Sequence, residues 1–205
     1  MKIKETALAP VSRQSLYYKC LPTVMSHSAE KKETQEYRGV GKGDENLIRI
    51  LFVCHGNICR SPSAELIFKD LLAKKALSHL YTVASAATSD EEIWNGCGNP
   101  VYPPMAAVLC AHGISVEGKR AVQLVGADAE KYDLFIGMDE ANLRNMRHIL
   151  GRRAEGRMYK LMDFTPRGGD VSDPWYTRRF DIAYEDIREG CEALLAHLTE
   201  KSGVV

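Results

Sequence analysis

The chain reads as an α/β protein: a single domain on a doubly wound, four-stranded parallel sheet with helices on both faces. Two observations predict this. Short β-branched or aromatic runs alternate along the sequence with stretches of helical periodicity, an order that favours parallel strands joined by covering helices. The first such run also ends in a Gly-containing polar loop that leads straight into a helical pattern, and in open parallel sheets ligand loops sit at the carboxyl ends of strands near a switch in strand order.

Residues 48–53, Ile-Arg-Ile-Leu-Phe-Val, are short, apolar and bounded by a turn, which predicts a buried strand. The loop Cys54-His55-Gly56-Asn57-Ile58-Cys59-Arg60-Ser61 follows. Beyond it Ala64, Ile67, Phe68, Leu71 and Leu72 fall on one helical face. Ser61 and Pro62 suit a helix start, Ser as a cap and Pro in the first turn where its missing N–H is not needed. Residues 81–84 predict a second strand, 105–112 a helix, and 133–137 a third strand. Residues 140–150 predict a helix, 158–161 a fourth strand, and 178–198 a long final helix. Residues 1–46 read differently. The stretch 26–36 is polar and charged, 39–46 is Gly-rich, and only Leu16 to Leu21 look able to pack, so an N-terminal extension is expected to be disordered or a linker ahead of a domain over 47–203.

The loop between strand and helix predicts a phosphate-binding cradle. Its N–H groups can turn inward while the helix start adds free N–H groups and the positive end of its dipole. Arg60 supplies a planar fork that fits two phosphate oxygens, and Cys54 at the strand end lies where a nucleophile would meet phosphorus. Composition narrows the rest. The 27 basic and 27 acidic residues among 205 give no general attraction to nucleic acid or a membrane surface. The six Cys show no CxxC zinc spacing and no disulfide framework, which argues against a metal and for a reducing, cytoplasmic setting. No apolar run approaches the ~20 residues of a spanning helix, and the N-terminus lacks the apolar core of a secretory signal.

The stretch Val53-Cys-His-Gly-Asn-Ile-Cys-Arg-Ser-Pro-Ser-Ala-Glu65 resembles the signature loop of the low-molecular-weight protein tyrosine phosphatases. Asp173-Pro174-Trp175-Tyr176 resembles the family's acid loop, and Ala84-Ser85-Ala86-Ala87 and Gly137-Met138-Asp139-Glu140-Ala141-Asn142-Leu143-Arg144 match in order and spacing. The resemblance spans about residues 47–198. It implies hydrolysis of phosphotyrosine, and of aryl phosphates, through a phosphocysteine intermediate without a cofactor. Cys54 would be the nucleophile, Arg60 the phosphate clamp and Asp173 the general acid, with the amides of His55, Gly56, Asn57, Ile58, Cys59 and Arg60 on the phosphate.

Other roles follow from the same likeness. Asn57 would brace the loop by bonding to Ser85, set after the second strand, and Ser61 would stabilise the thiolate besides capping its helix. Cys59 would protect an oxidised Cys54 by disulfide formation. Trp175 and Tyr176, with Trp94 from the variable loop at 90–103, would wall a slot as deep as a phenol. Ile58 crowds the pocket where related arginine phosphatases carry Thr. Two positions depart from the pattern: His55 stands where an apolar residue is usual, and Lys119 near where the brace often has a His. The expected partners are phosphotyrosine proteins, with the enzyme a monomer or weak dimer. A thiol-dependent arsenate reductase or an arginine phosphatase on the same scaffold, and a non-catalytic phosphate binder, are the competing readings.

Overall fold

A computed structural model describes residues 47–202. The extension at 1–46, including the candidate packing segment Leu16 to Leu21, lies outside the described residues.

Strand β1 (Ile48–Cys54) occupies the middle of a four-stranded parallel sheet, with β2 (Tyr81–Ala87) on one side and β5 (Leu134–Gly137) then β6 (Met158–Lys160) on the other. The chain leaves β1 toward one edge and later returns to its opposite side, so the strand order reverses at β1 and opens a crevice at its carboxyl end.

Side-chain alternation along β1 sorts the core into two layers. Ile50, Phe52 and Cys54 face one cluster, packed with Ile67, Phe68 and Leu72 of α1 (Arg60–Lys74) and Met105 and Leu109 of α2 (Pro103–Ala111). Tyr184, Ile187, Cys191 and Leu194 of α5 (Phe180–Ser202) complete it. Leu51 and Val53 face the other, with Leu143, Met146 and Leu150 of α3 (Glu140–Leu150). Helices therefore cover both faces, and the period of two puts Cys54 on the α1 and α5 side, 4% exposed. The rings of Phe52 and Phe68 meet at 5.7 Å between centroids, which ties α1 to the strand it follows.

The termini of the predicted elements shift for local reasons. Helix α1 begins at Arg60, so Ser61 lies inside the first turn and makes no cap bond; the expectation of a Ser61 cap is corrected, its hydroxyl being committed elsewhere. Strand β2 runs on to Ala87, which puts Ser85 within the strand and not after it. Its extra length is held by the segment at 121–124, where Ala87 N–H donates to the Val122 carbonyl at 2.7 Å and Leu124 N–H to the Ala87 carbonyl at 2.8 Å. The helix expected from residue 178 is α5, which starts at Phe180; a single turn, α4 (Pro174–Thr177), precedes it and is ended by Arg178, whose φ of 58° is left-handed. Within the variable loop a short hairpin forms, β3 (Ile93–Trp94) against β4 (Cys97–Gly98), turning through Asn95 and Gly96, both at positive φ. Gly98 is required there, since a Cβ would stand 1.9 Å from the Ala121 carbonyl oxygen. Among the described residues no helix is long and apolar enough to cross a membrane.

Candidate active site

The carboxyl end of β1 delivers Cys54, and carbonyls of Cys54 and of the loop after it are taken up by neighbouring segments. Thr88 N–H donates to the Cys54 carbonyl at 2.9 Å, Ser89 N–H to that of His55 at 2.9 Å, and Tyr102 N–H to that of Ile58 at 2.7 Å. Among the described residues, no hydrogen bond has an amide from His55 to Arg60 as its donor. A run of unspent N–H groups beside a helix start is an anion cradle.

Asn57 holds that shape. Its φ of 54° is in the left-handed region that Asn tolerates, and its side chain is 1% exposed with every polar atom used. The amide nitrogen donates to Ser61 Oγ and Ser85 Oγ at 2.8 Å each, while its oxygen accepts from Val122 N–H at 3.0 Å. Ser61 in turn donates to Cys54 Sγ at 3.0 Å, the bond that a thiolate rewards most.

Beneath Asn57 lies a carboxylate that sequence reasoning left without a role. Glu65, 5% exposed on α1, accepts from Ser85 Oγ at 2.6 Å and pairs with Lys119 at 2.7 Å and Lys69 at 2.6 Å. Burial alone would raise its pKa; the charge of Lys119 and hydrogen bonds from Lys119, Lys69 and Ser85 outweigh that and hold it below the ordinary carboxylate range. Lys119 is thus joined to the brace through Glu65. The signal available in sequence was a carboxylate on the otherwise apolar face of α1, between Ala64 and Ile67.

Arg60 is 5% exposed and shared between two carboxylates. One terminal nitrogen meets Asp139 at 2.7 Å and the other meets Asp173 at 2.7 Å. Burial disfavours its charge, but Cys54, Asp173 and Asp139 more than offset this and raise its pKa. Asp139 also caps α3, accepting from Asn142 N–H at 2.7 Å, so its orientation is fixed by the helix it starts. It lay in a matching stretch of sequence but carried no assigned role.

Asp173 caps α4 through Trp175 N–H at 2.9 Å, leaving its second oxygen on Arg60. The loop ahead of it is tied down twice, by Val171 N–H on the Met138 carbonyl at 2.9 Å and by Ser172 N–H on Asp186 at 2.9 Å. Asp186 is a further missed residue, buried on α5 and held by Arg167 at 2.7 Å.

The remaining candidates divide. Tyr176, 84% exposed, lines a cleft of about 520 Å³ that reaches Arg60 and Asp173 and runs along the start of α3. Trp175 packs instead on Tyr102, ring centroids 5.7 Å apart, with the Arg178 guanidinium over the Trp175 ring at 5.7 Å. Trp94 stands out from the β3–β4 hairpin, 69% exposed, and lines no part of that cleft. His55 is exposed on the rim, its Nε2 3.1 Å from Glu91. Cys59 is half-buried with a free thiol; burial first, then the charge of Cys54, push its pKa up against the pull of Arg60.

The family model for low molecular weight phosphotyrosine protein phosphatase matches residues 49–204. Over 157 residues the chain is 38% identical to the low molecular weight protein-tyrosine-phosphatase YfkJ of Bacillus subtilis, covering 76% of this chain and 98% of that protein. It is 30% identical over 159 residues to PtpA of Staphylococcus aureus strain Newman, covering 77% and 98%. The crystal structure of YfkJ superposes with a TM-score of 0.72 at 37% identity, covering 78% of this chain and 99% of that one. That of SP-PTP from Streptococcus pyogenes gives 0.65 at 33% identity, covering 74% and 93%.

Replacing Lys119 by Met leaves Glu65 with Lys69 alone. A loss of roughly 1–3 kcal/mol at neutral pH is expected in urea denaturation. Because the folded pKa of Glu65 is depressed, its stabilisation is present above the unfolded value and disappears as pH falls through the folded one. The gap between wild type and Lys119→Met therefore closes below the ordinary value of 4.5. A gap that persists unchanged in acid would refute this account of the pair.

Proposed function

The chain belongs to the low molecular weight phosphotyrosine protein phosphatase family, and on that premise we propose how its residues divide the work of a cysteine-dependent protein tyrosine phosphatase. The observation that carries the reading is the convergence of three groups at the end of β1: Cys54 under the Ser61 hydroxyl, Arg60, and Asp173 on that same Arg60. We assign the phosphatase domain to residues 47–203.

In the first step the Cys54 thiolate attacks phosphorus and the bond from phosphorus to the phenolic oxygen breaks. Asp173 gives its proton to that oxygen, and a phosphocysteine is left. In the second, water attacks phosphorus, Asp173 takes its proton, and the sulfur leaves with the electron pair of the S–P bond. The Ser61 hydroxyl stabilises the departing thiolate. Throughout, the amides from His55 to Arg60 and the outer edge of the Arg60 fork meet the equatorial oxygens. For this the Arg60 edge now on Asp173 must pass to phosphate, while Asp139 keeps hold of the other and preserves the plane of the guanidinium.

The substrates are phosphoproteins, engaged by a monomer or weak dimer. A reducing compartment such as the cytoplasm keeps the nucleophile usable; when peroxide oxidises Cys54 to a sulfenic acid, the Cys59 sulfur attacks the Cys54 sulfur, the S–O bond breaks, the hydroxyl leaves as water with the Cys59 proton, and a protective disulfide remains. Tyr176 at the cleft and Trp175 beside it form the aromatic side of the entrance, and Trp94 offers a further contact from its hairpin.

Four measurements test these assignments. Cys54→Ser abolishes phosphate release from a phosphotyrosine peptide, whereas Asp173→Ala slows phenyl phosphates with poor leaving groups far more than activated ones; equal slowing of both would remove Asp173 from the acid role. Peroxide inactivation is reversed by thiols in the wild type and becomes irreversible in Cys59→Ser; equal recovery of the two would rule out the protective disulfide. Ile58→Thr gains phosphoarginine hydrolysis if Ile58 excludes that substrate by bulk, and an absence of gain disproves it.

A further inference from the structure

The cleft beside the catalytic groups is lined by Arg60 and Asp173 at one end and by Asp139, Glu140, Ala141 and Arg144 of α3 and its cap along its side. Cys54 does not line it, being 4% exposed beneath the loop. A phosphotyrosine seated on Cys54 and Arg60 would therefore leave this space to whatever flanks it in the peptide.

The charges in the cleft are not equally engaged. Asp139 and Asp173 share Arg60, each at 2.7 Å. Glu140 is met by Arg147 at 3.3 Å, and Asp170 on the opposite wall by Lys160 at 3.0 Å. Arg144 alone of the charged residues lining the cleft has no ion pair or hydrogen bond among the described residues. It lies one helical turn beyond Glu140, exposed, on a helix whose start is pinned by Asp139. Each acid has a cation, and the one group left over is a guanidinium, the side chain best shaped for a carboxylate.

We propose that Arg144 is a specificity residue of this site, receiving the carboxylate of an acidic residue that flanks the phosphotyrosine. The proposal rests on the phosphotyrosine phosphatase reading above and names the class of peptide that reading leaves open. Ala141, three positions before Arg144, lines the same cleft with only a methyl group. The contact is in water, so its strength is that of an exposed pair and falls as salt rises.

The test is kcat/KM of the full chain on phosphotyrosine peptides that differ only in flanking Glu, Ala or Lys, each normalised to the same variant's turnover of phenyl phosphate. Wild type is expected to favour the Glu peptide over the Ala peptide by about fivefold at low salt, the upper range for an exposed ion pair. Arg144→Ala removes the preference, Arg144→Glu turns it toward Lys, and Arg144→Lys keeps its direction, a rescue that a merely structural role would not show. A flank ratio unchanged by these substitutions would overturn the proposal, as would a wild-type preference for Lys, which would hand the cleft to Glu140 and Asp170. Failure of the wild type to release phosphate from any peptide or from phenyl phosphate overturns instead the phosphatase reading beneath it.

Discussion

Everything at the site depends on the left-handed turn at Asn57. One residue at φ 54° lets the loop fold back on itself, and the amide of that same residue locks the result by three hydrogen bonds to α1, β2 and the segment beside β2. All the loop can offer an anion follows from this closure: the inward N–H groups, the reach of Ser61 to Cys54, and the angle at which Arg60 starts its helix. A buried amide with four polar contacts to satisfy has few arrangements available, so the brace fixes the loop's shape as well as its stability.

Burying charge beside that loop would be costly unless each charge were matched. Glu65 is matched by Lys119 and Lys69, and Arg60 by Asp139 and Asp173. The two clusters differ in consequence. Around Glu65 the partners stand on rigid elements or reach in from solvent, and the ionised carboxylate sets the direction of the bonds above it: Ser85 must donate downward, and so accepts from Asn57. Around Arg60 both partners cap helices, Asp139 on α3 and Asp173 on α4, so each carboxylate has one oxygen on a backbone amide and the other on the guanidinium. Two capping acids on one guanidinium hold its plane from two sides, so that releasing one edge to an anion leaves the other held.

Much of this was legible in the chain. The alternation of strand and helix periods located all four strands of the main sheet, and the apolar stripe from Ala64 to Leu72 located α1, because burial on two faces leaves a periodicity that a reader can count. The capping sites were less so. Ser61 looked like a helix cap by residue type, yet the helix begins one residue earlier and the hydroxyl faces the thiol, a choice made by what lies across the loop. The break at Arg178 was invisible, since nothing in an Arg announces a left-handed backbone, and the β3–β4 hairpin is too short for its alternation to register.

The sequence by itself determined the order of elements, the loop that carries Cys54 and Arg60, and the Asp-Pro-Trp-Tyr stretch far downstream, because these depend on residue type and local spacing. Only the tertiary structure decided which distant charges meet. Glu65 with Lys119, Arg60 with Asp139, and Asp186 with Ser172 join residues separated by anything from a dozen positions to most of the sheet, and pairing across such distances is set by how the strands are ordered and the helices packed. The same is true of Arg144: its lack of a partner among the described residues is a property of where its neighbours' charges ended up, and no local pattern in the chain records it.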